Sequence, residues 1–155
     1  MQKHDEAIDK YREYQRQAEK HGKKAMQWEA MSLIGDCLGK QSMALFCSSL
    51  SSSSIPVPDP ARSSDKLSAA VDAHRGAVEF AVANRMNVHE AQSLWTMGML
   101  REFEGNSEDA LETFQRSLQV LLTSFQCSNS NCVDYYFMQS MNLFLQLLLV
   151  DISQV

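Results

Sequence analysis

Along nearly all of this chain the apolar residues return every three or four positions, and nowhere do they alternate in steps of two for long enough to make a strand. That period restricts the fold to helices packed on helices. From Asp5 to His21, Ala7, Ile8, Tyr11, Tyr14 and Ala18 share one side and charges fill the other, and Gly22 ends the stretch with Lys20, Lys23 and Lys24 near the negative end of the helix dipole. A second helix is expected from about Ala25 to about Cys47. Leu67, Ala70, Val71, His74, Ala77, Val78 and Ala81 form the stripe of a third. Asn87 with Glu90 three residues on is a start signal for a fourth, ending near Gly105. Asn106 or Ser107 caps a fifth, with Glu108 and Asp109 in its first turn, where the dipole favours acids. The polar cluster Ser128 to Asn131 ends it, and Asn131 can cap a sixth that runs to about Asp151.

One segment breaks the pattern. Residues 48–64 read SSLSSSSIPVPDPARSS, a serine tract followed by three prolines, too polar for a core and unable to sustain a helix. The expected organisation is a first helix pair over 1–47, an exposed, disordered Ser/Pro-rich insertion over 48–64, and further helices over 65–155, all in one domain.

Charge and cysteine usage exclude several roles. The formal charge is −5, and the basic residues of the first helix are interleaved with Asp5, Glu6, Asp9, Glu13 and Glu19, so no uncompensated field is available to bind nucleic acid. Cys37, Cys47, Cys127 and Cys132 form no paired Cys-x-x-Cys set and no His pair completes a zinc site, so no metal and no cofactor is expected. The N-terminus does not read as a secretory leader, and the expectation is reduced thiols and a cytoplasmic location. The most apolar stretch, Phe137 to Val150, is interrupted by Gln139, Ser140, Asn142 and Gln146 and falls short of the roughly 20 apolar residues a membrane span needs. Gly35-x-x-x-Gly39-Lys40-Gln41 is one residue short of a phosphate loop and lacks its Ser or Thr. His4, His21, His74 and His89 make no i,i+4 pair, and His74 on an apolar stripe reads as a core histidine. No nucleophile elbow occurs, and no catalytic residue is assigned.

The helices also repeat. Gly105, Ala110, Phe114 and Ser117 stand where the second half of a tetratricopeptide repeat has its glycine, alanine, aromatic and small residue, with Gly98 at the small position of the preceding helix. Ala7 to Gly35 and Ala70 to Gly98 are both 28 residues, and Ala70 to Ala110 is 40. The chain therefore resembles the long-turn variety of the tetratricopeptide superfamily, whose repeat is about 40 residues. The resemblance covers nearly everything outside 48–64. It departs from the pattern at Leu38 and Arg101, which stand where the family has an aromatic, at His74, which also replaces an aromatic, and at Met138, which replaces a glycine.

That resemblance implies antiparallel helix-turn-helix repeats stacked as a short right-handed α-solenoid of about six helices. It implies a protein-protein interaction module, a scaffold or adaptor, that binds a partner helix or peptide on its concave face. The inner-wall positions it designates are Gln92, Trp95, Met99, Glu102 and Phe103 on one helix, with Glu29, Ser32, Asp36, Gly39 and Lys40 on an earlier one. On the last helix they are Cys132, Tyr135, Gln139, Asn142 and Leu143. Trp95, Met99 and Phe103, four apart, are apolar anchors in this reading, or else ordinary core. Asp36, Met99 and Gln139 occupy places where clamps for C-terminal carboxylates have donors, which argues against that ligand. The alternative is a structural or self-assembly subunit whose apolar C-terminal helix packs on another chain or another copy.

Overall fold

The computed structural model describes the backbone of residues 2–50 and 60–127 and the side chains of residues 3–45 and 64–124. It is all-α, with five helices and no strand among the described residues: α1 (Gln2–Lys20), α2 (Lys24–Leu50), α3 (Pro60–Ala83), α4 (Asn87–Phe103) and α5 (Ser107–Cys127). None of these is long and apolar enough to cross a membrane. The expected sixth helix lies outside the described residues. Contacts divide the chain into two compact units, Met1–Phe80 and Ala81–Val155, so the division falls inside α3. Nothing in the sequence marks it, because the apolar stripe of that helix runs on without a break.

In the first unit α1 lies antiparallel to α2. Tyr14 Oη donates to Glu29 Oε2 at 3.1 Å, and Gln41 Nε2 donates to Asp5 Oδ1 at 2.8 Å. Ile8 and Ala18 are buried on the side of α1 marked by its apolar stripe. On α3 every stripe residue from Leu67 to Ala81 is buried, His74 included. Gly35 of α2 meets His74 so closely that a Cβ there would stand 2.6 Å from the imidazole Cδ2 and Nε2.

In the second unit α4 and α5 pair antiparallel. Here Gly98 takes the part of Gly35: a Cβ on it would stand 2.5 Å from Cε1 of Phe114. Phe114 and Ala110 are fully buried, and Ser117, also fully buried, donates from Oγ to the Ala91 carbonyl at 2.6 Å. Ala70, His74 and Ala77 in one unit thus correspond to Ala110, Phe114 and Ser117 in the other, 40 residues on, the ring of each set seated on a glycine of the preceding helix. A glycine faces a ring in both because only a residue without a side chain lets the two backbones come this near.

Three helix ends share one geometry. Gly22, Arg85 and Gly105 are left-handed, with φ of 63°, 57° and 81°. After each, the next residue donates back over five positions: Lys23 to Ala18, Met86 to Ala81 and Asn106 to Arg101, at 2.9, 2.9 and 3.0 Å. The left-handed residue itself bonds the carbonyl three before it, which completes a Schellman ending. In each case the residue after it also opens the following helix, its carbonyl accepting the first helical bond.

This corrects the start expected for α4. Met86, not Asn87, occupies the cap, with no side-chain bond there, and Asn87 is the first helical residue. The Asn87–Glu90 box cannot close because the ending at Arg85 commits Met86 to the cap, and Glu90 instead pairs with Arg116 at 3.3 Å. At α5 the expected cap is present: Asn106 Oδ1 accepts from the Asp109 amide at 3.4 Å, and its Nδ2 donates to Asp109 Oδ2 at 2.8 Å. The helices also reach further into the Ser/Pro segment than expected, α2 to Leu50 and α3 from Pro60. Proline suits a first helical position, where its missing N–H and fixed φ cost nothing.

Candidate functional site

Viewed down its axis, α4 has a buried arc and an exposed one. Ala91, Leu94, Met97, Gly98 and Leu100 are buried, and Ala91 and Gly98 meet α5. Gln92, Met99 and Phe103 lie on the opposite arc and are exposed, Met99 at 41% and Phe103 at 38%. Helical spacing of four and seven residues sets these three one above another. Trp95 sits between the two arcs. It is half-buried, and its ring lies 4.6 Å from that of Phe114 at 54°, packed beside Ala91, Ala110 and Leu121. It is therefore as much a brace between α4 and α5 as a surface residue.

Glu102 borders this face. It is half-buried; Oε1 accepts from Ser107 Oγ at 3.2 Å, while Oε2 is shielded from water and has no hydrogen-bond partner. Glu104, one residue past the helix, is exposed.

In the first unit Ser32 and Asp36 are half-buried on α2 and Lys40 is exposed, but Gly39, expected on the inner wall, is buried. Asp36 Oδ1 stands 3.3 Å from Nε2 of His74, without hydrogen-bond alignment, and neither ring nitrogen of His74 nor Oγ of Ser32 has a hydrogen-bond partner. His74 fills the place of Phe114 in the other unit, so its shape serves packing while neither nitrogen makes an aligned hydrogen bond. Burial raises the pKa of Cys37, with Lys40 opposing and Asp36 reinforcing that shift. Burial likewise lowers the pKa of His89 near the start of α4. No group of three or more His, Cys, Asp or Glu side chains that could hold a metal ion occurs among the described residues.

Of the expected binding residues, the structure brings Gln92, Met99, Phe103, Trp95 and Glu102 together on one side of α4. Ser32 and Asp36 belong to the first unit, and Tyr135, Gln139 and Asn142 lie outside the described residues. Chemically, the α4 face offers two large apolar side chains, an aromatic edge, an amide and the half-buried carboxylate of Glu102, a set that can bury an apolar surface. No family model, no curated protein and no solved structure matches the chain.

Proposed function

We propose that this protein is a binding module of tetratricopeptide type that takes a helix or peptide of another protein on the exposed face of α4. The observation that carries the reading is the exposure of Met99 and Phe103 one turn apart on a helix whose opposite arc is buried. Methionine adapts its shape to an apolar partner, and an aromatic one turn away supplies a rigid anchor, a spacing that matches the i, i+4 rows of a partner helix. Support for the repeat comes from the two glycine–ring contacts 63 residues apart in their glycines and from the three Schellman endings. The partner's class is protein, and the proposed role is that of a scaffold or adaptor.

The test is differential capture from an extract of the source cells, comparing the unaltered chain with Met99→Ser combined with Phe103→Ser. Both side chains are exposed, so the variant should fold, which circular dichroism checks. Leu122→Ser, at an equally exposed apolar position on α5, serves as control. Proteins retained by the unaltered chain and by the control but lost by the double variant support the reading. An identical set retained by all three contradicts it.

A further inference from the structure

We propose that His74 and Asp36 form a proton-operated latch between α3 and α2, closed by an ion pair when the imidazole is protonated and open when it is neutral. The parts stand side by side. His74 is 1% exposed, its ring lies against Gly35, and Nε2 stands 3.3 Å from Oδ1 of Asp36 without hydrogen-bond alignment. The side chain of Asp36 is 42% exposed, so its carboxylate can turn onto the ring and a proton can reach the pair from solvent. A neutral imidazole offers that carboxylate little, whereas an imidazolium offers a full charge and an N–H donor. The contribution of the pair is therefore present on the acid side of the imidazole titration and is lost as pH rises through it.

The repeat supplies a comparison within the molecule. Gly35 and Gly98 hold equivalent places, and so do the rings of His74 and Phe114 that rest on them. Asp36 and Met99, each the residue after its glycine, correspond in the same way. One unit thus has a phenyl ring and a thioether at these two places, and the other has an imidazole and a carboxylate. A ring needed for its shape alone is served better by phenylalanine, because buried polar atoms without hydrogen bonds cost free energy. The acid beside the imidazole gives the exchange a purpose.

The surroundings leave the proton to these two groups. On α2 the titratable side chains next along from Asp36 are Cys37 and the exposed Lys40. On α3, Asp72 and Arg75 flank His74 in sequence, but both are exposed and they pair with each other. No other carboxylate pairs with the ring nitrogens of His74 among the described residues. Burial disfavours a charged imidazole and Asp36 favours it, so removing the carboxylate leaves that charge buried and alone.

The experiment follows the imidazole ring signals of the full chain by NMR from about pH 8 to about pH 5.5, a span that protonates an ordinary imidazole and leaves ordinary carboxylates ionised. The His74 signal is assigned by its loss in His74→Phe. In Asp36→Asn, His74 should take up its proton at a lower pH than in the unaltered chain, while His21, exposed just past α1, should titrate as before. Urea unfolding at the two ends of that span, followed by Trp28 fluorescence in a Trp95→Phe background, reads the latch in the fold. Asp36→Asn should change the midpoint little at the alkaline end. At the acid end it should lower the midpoint by about 0.5 M more, the size expected of a half-exposed charge pair in a small protein. With His74→Phe also present, that extra loss should vanish. A His74 titration that Asp36→Asn leaves in place overturns the latch. So does an equal loss at both ends of the span, or a chain that needs Asp36 to fold at the alkaline end.

Discussion

Replacing Gly98 by Ala tests the packing on which the α4 face is built. The added methyl would lie 2.5, 2.7 and 2.9 Å from three carbons of the Phe114 ring, where real Cβ contacts below 3.0 Å are essentially never seen. Phe114 is fully buried, so its ring has no exit to solvent and the helices must separate. Overpacking of this kind costs about 1–3 kcal/mol. Removing glycine from a helix interior returns about 0.8–1.0 kcal/mol. Because three ring atoms are struck at once, the cost belongs in the upper half of its range, and the net loss is about 1–2 kcal/mol. With a urea slope of about 1–3 kcal/mol/M for a small protein, the midpoint should fall by about 0.5–1 M. The assay is urea unfolding followed by the fluorescence of Trp95, which packs against the same ring, in a Trp28→Phe background. Gly76→Ala is the contrasting case: its Cβ would meet only the flexible Met31 Cε, at 3.3 Å, so the helix gain should dominate and the midpoint should stay or rise. A Gly98→Ala chain as stable as the original would refute the argument, since the glycine would then have no packing reason to be there.

Other substitutions follow from the same geometry. Arg85→Gly should raise stability by about 0.5 kcal/mol, because a left-handed φ of 57° costs an ordinary residue about 1–2 kcal/mol and glycine's greater unfolded-state freedom returns part of that; thermal unfolding checks it, and a lower midpoint would contradict it. His74→Phe should stabilise the first unit by about 1 kcal/mol, since it removes two buried nitrogens that make no hydrogen bond while keeping a ring on Gly35; Trp28 fluorescence during urea unfolding reads the change, and a loss of stability would show that the approach of Asp36 to the imidazole contributes to folding. Cys37, whose pKa is raised chiefly by burial, carries less thiolate at any given pH than an exposed cysteine. Its alkylation by iodoacetamide near pH 8, followed by mass spectrometry of the peptide that contains it, should therefore be slower in the folded chain than in urea; equal rates would contradict the assigned shift.

Much of the fold was legible in the sequence because it is local. The α3 stripe from Leu67 to Ala81 is buried residue for residue, since a 3.6-residue period leaves little choice of face once the helix forms. Gly35 and Gly98 were legible as close-approach positions from their spacing to Ala7 and Ala70. The start of α4 was not legible: Arg85 carries no mark of its left-handed backbone, and the Asn87–Glu90 pair imitates a cap that the preceding turn forestalls. Nor could spacing divide Trp95 from Met99 and Phe103. All three belong to one stripe, and only the position of Phe114 beneath the indole makes the first a brace while leaving the others exposed.

The α4 face is most directly tested by the methyl NMR signal of Met99, with methionine labelled at its 13C methyl and a helical peptide of about 15 residues carrying a leucine stripe added in steps. The account predicts a progressive shift of the Met99 resonance, with Met97 on the buried arc of the same helix moving far less. A Met99 signal that stays in place while the peptide binds would put the binding surface elsewhere on the molecule.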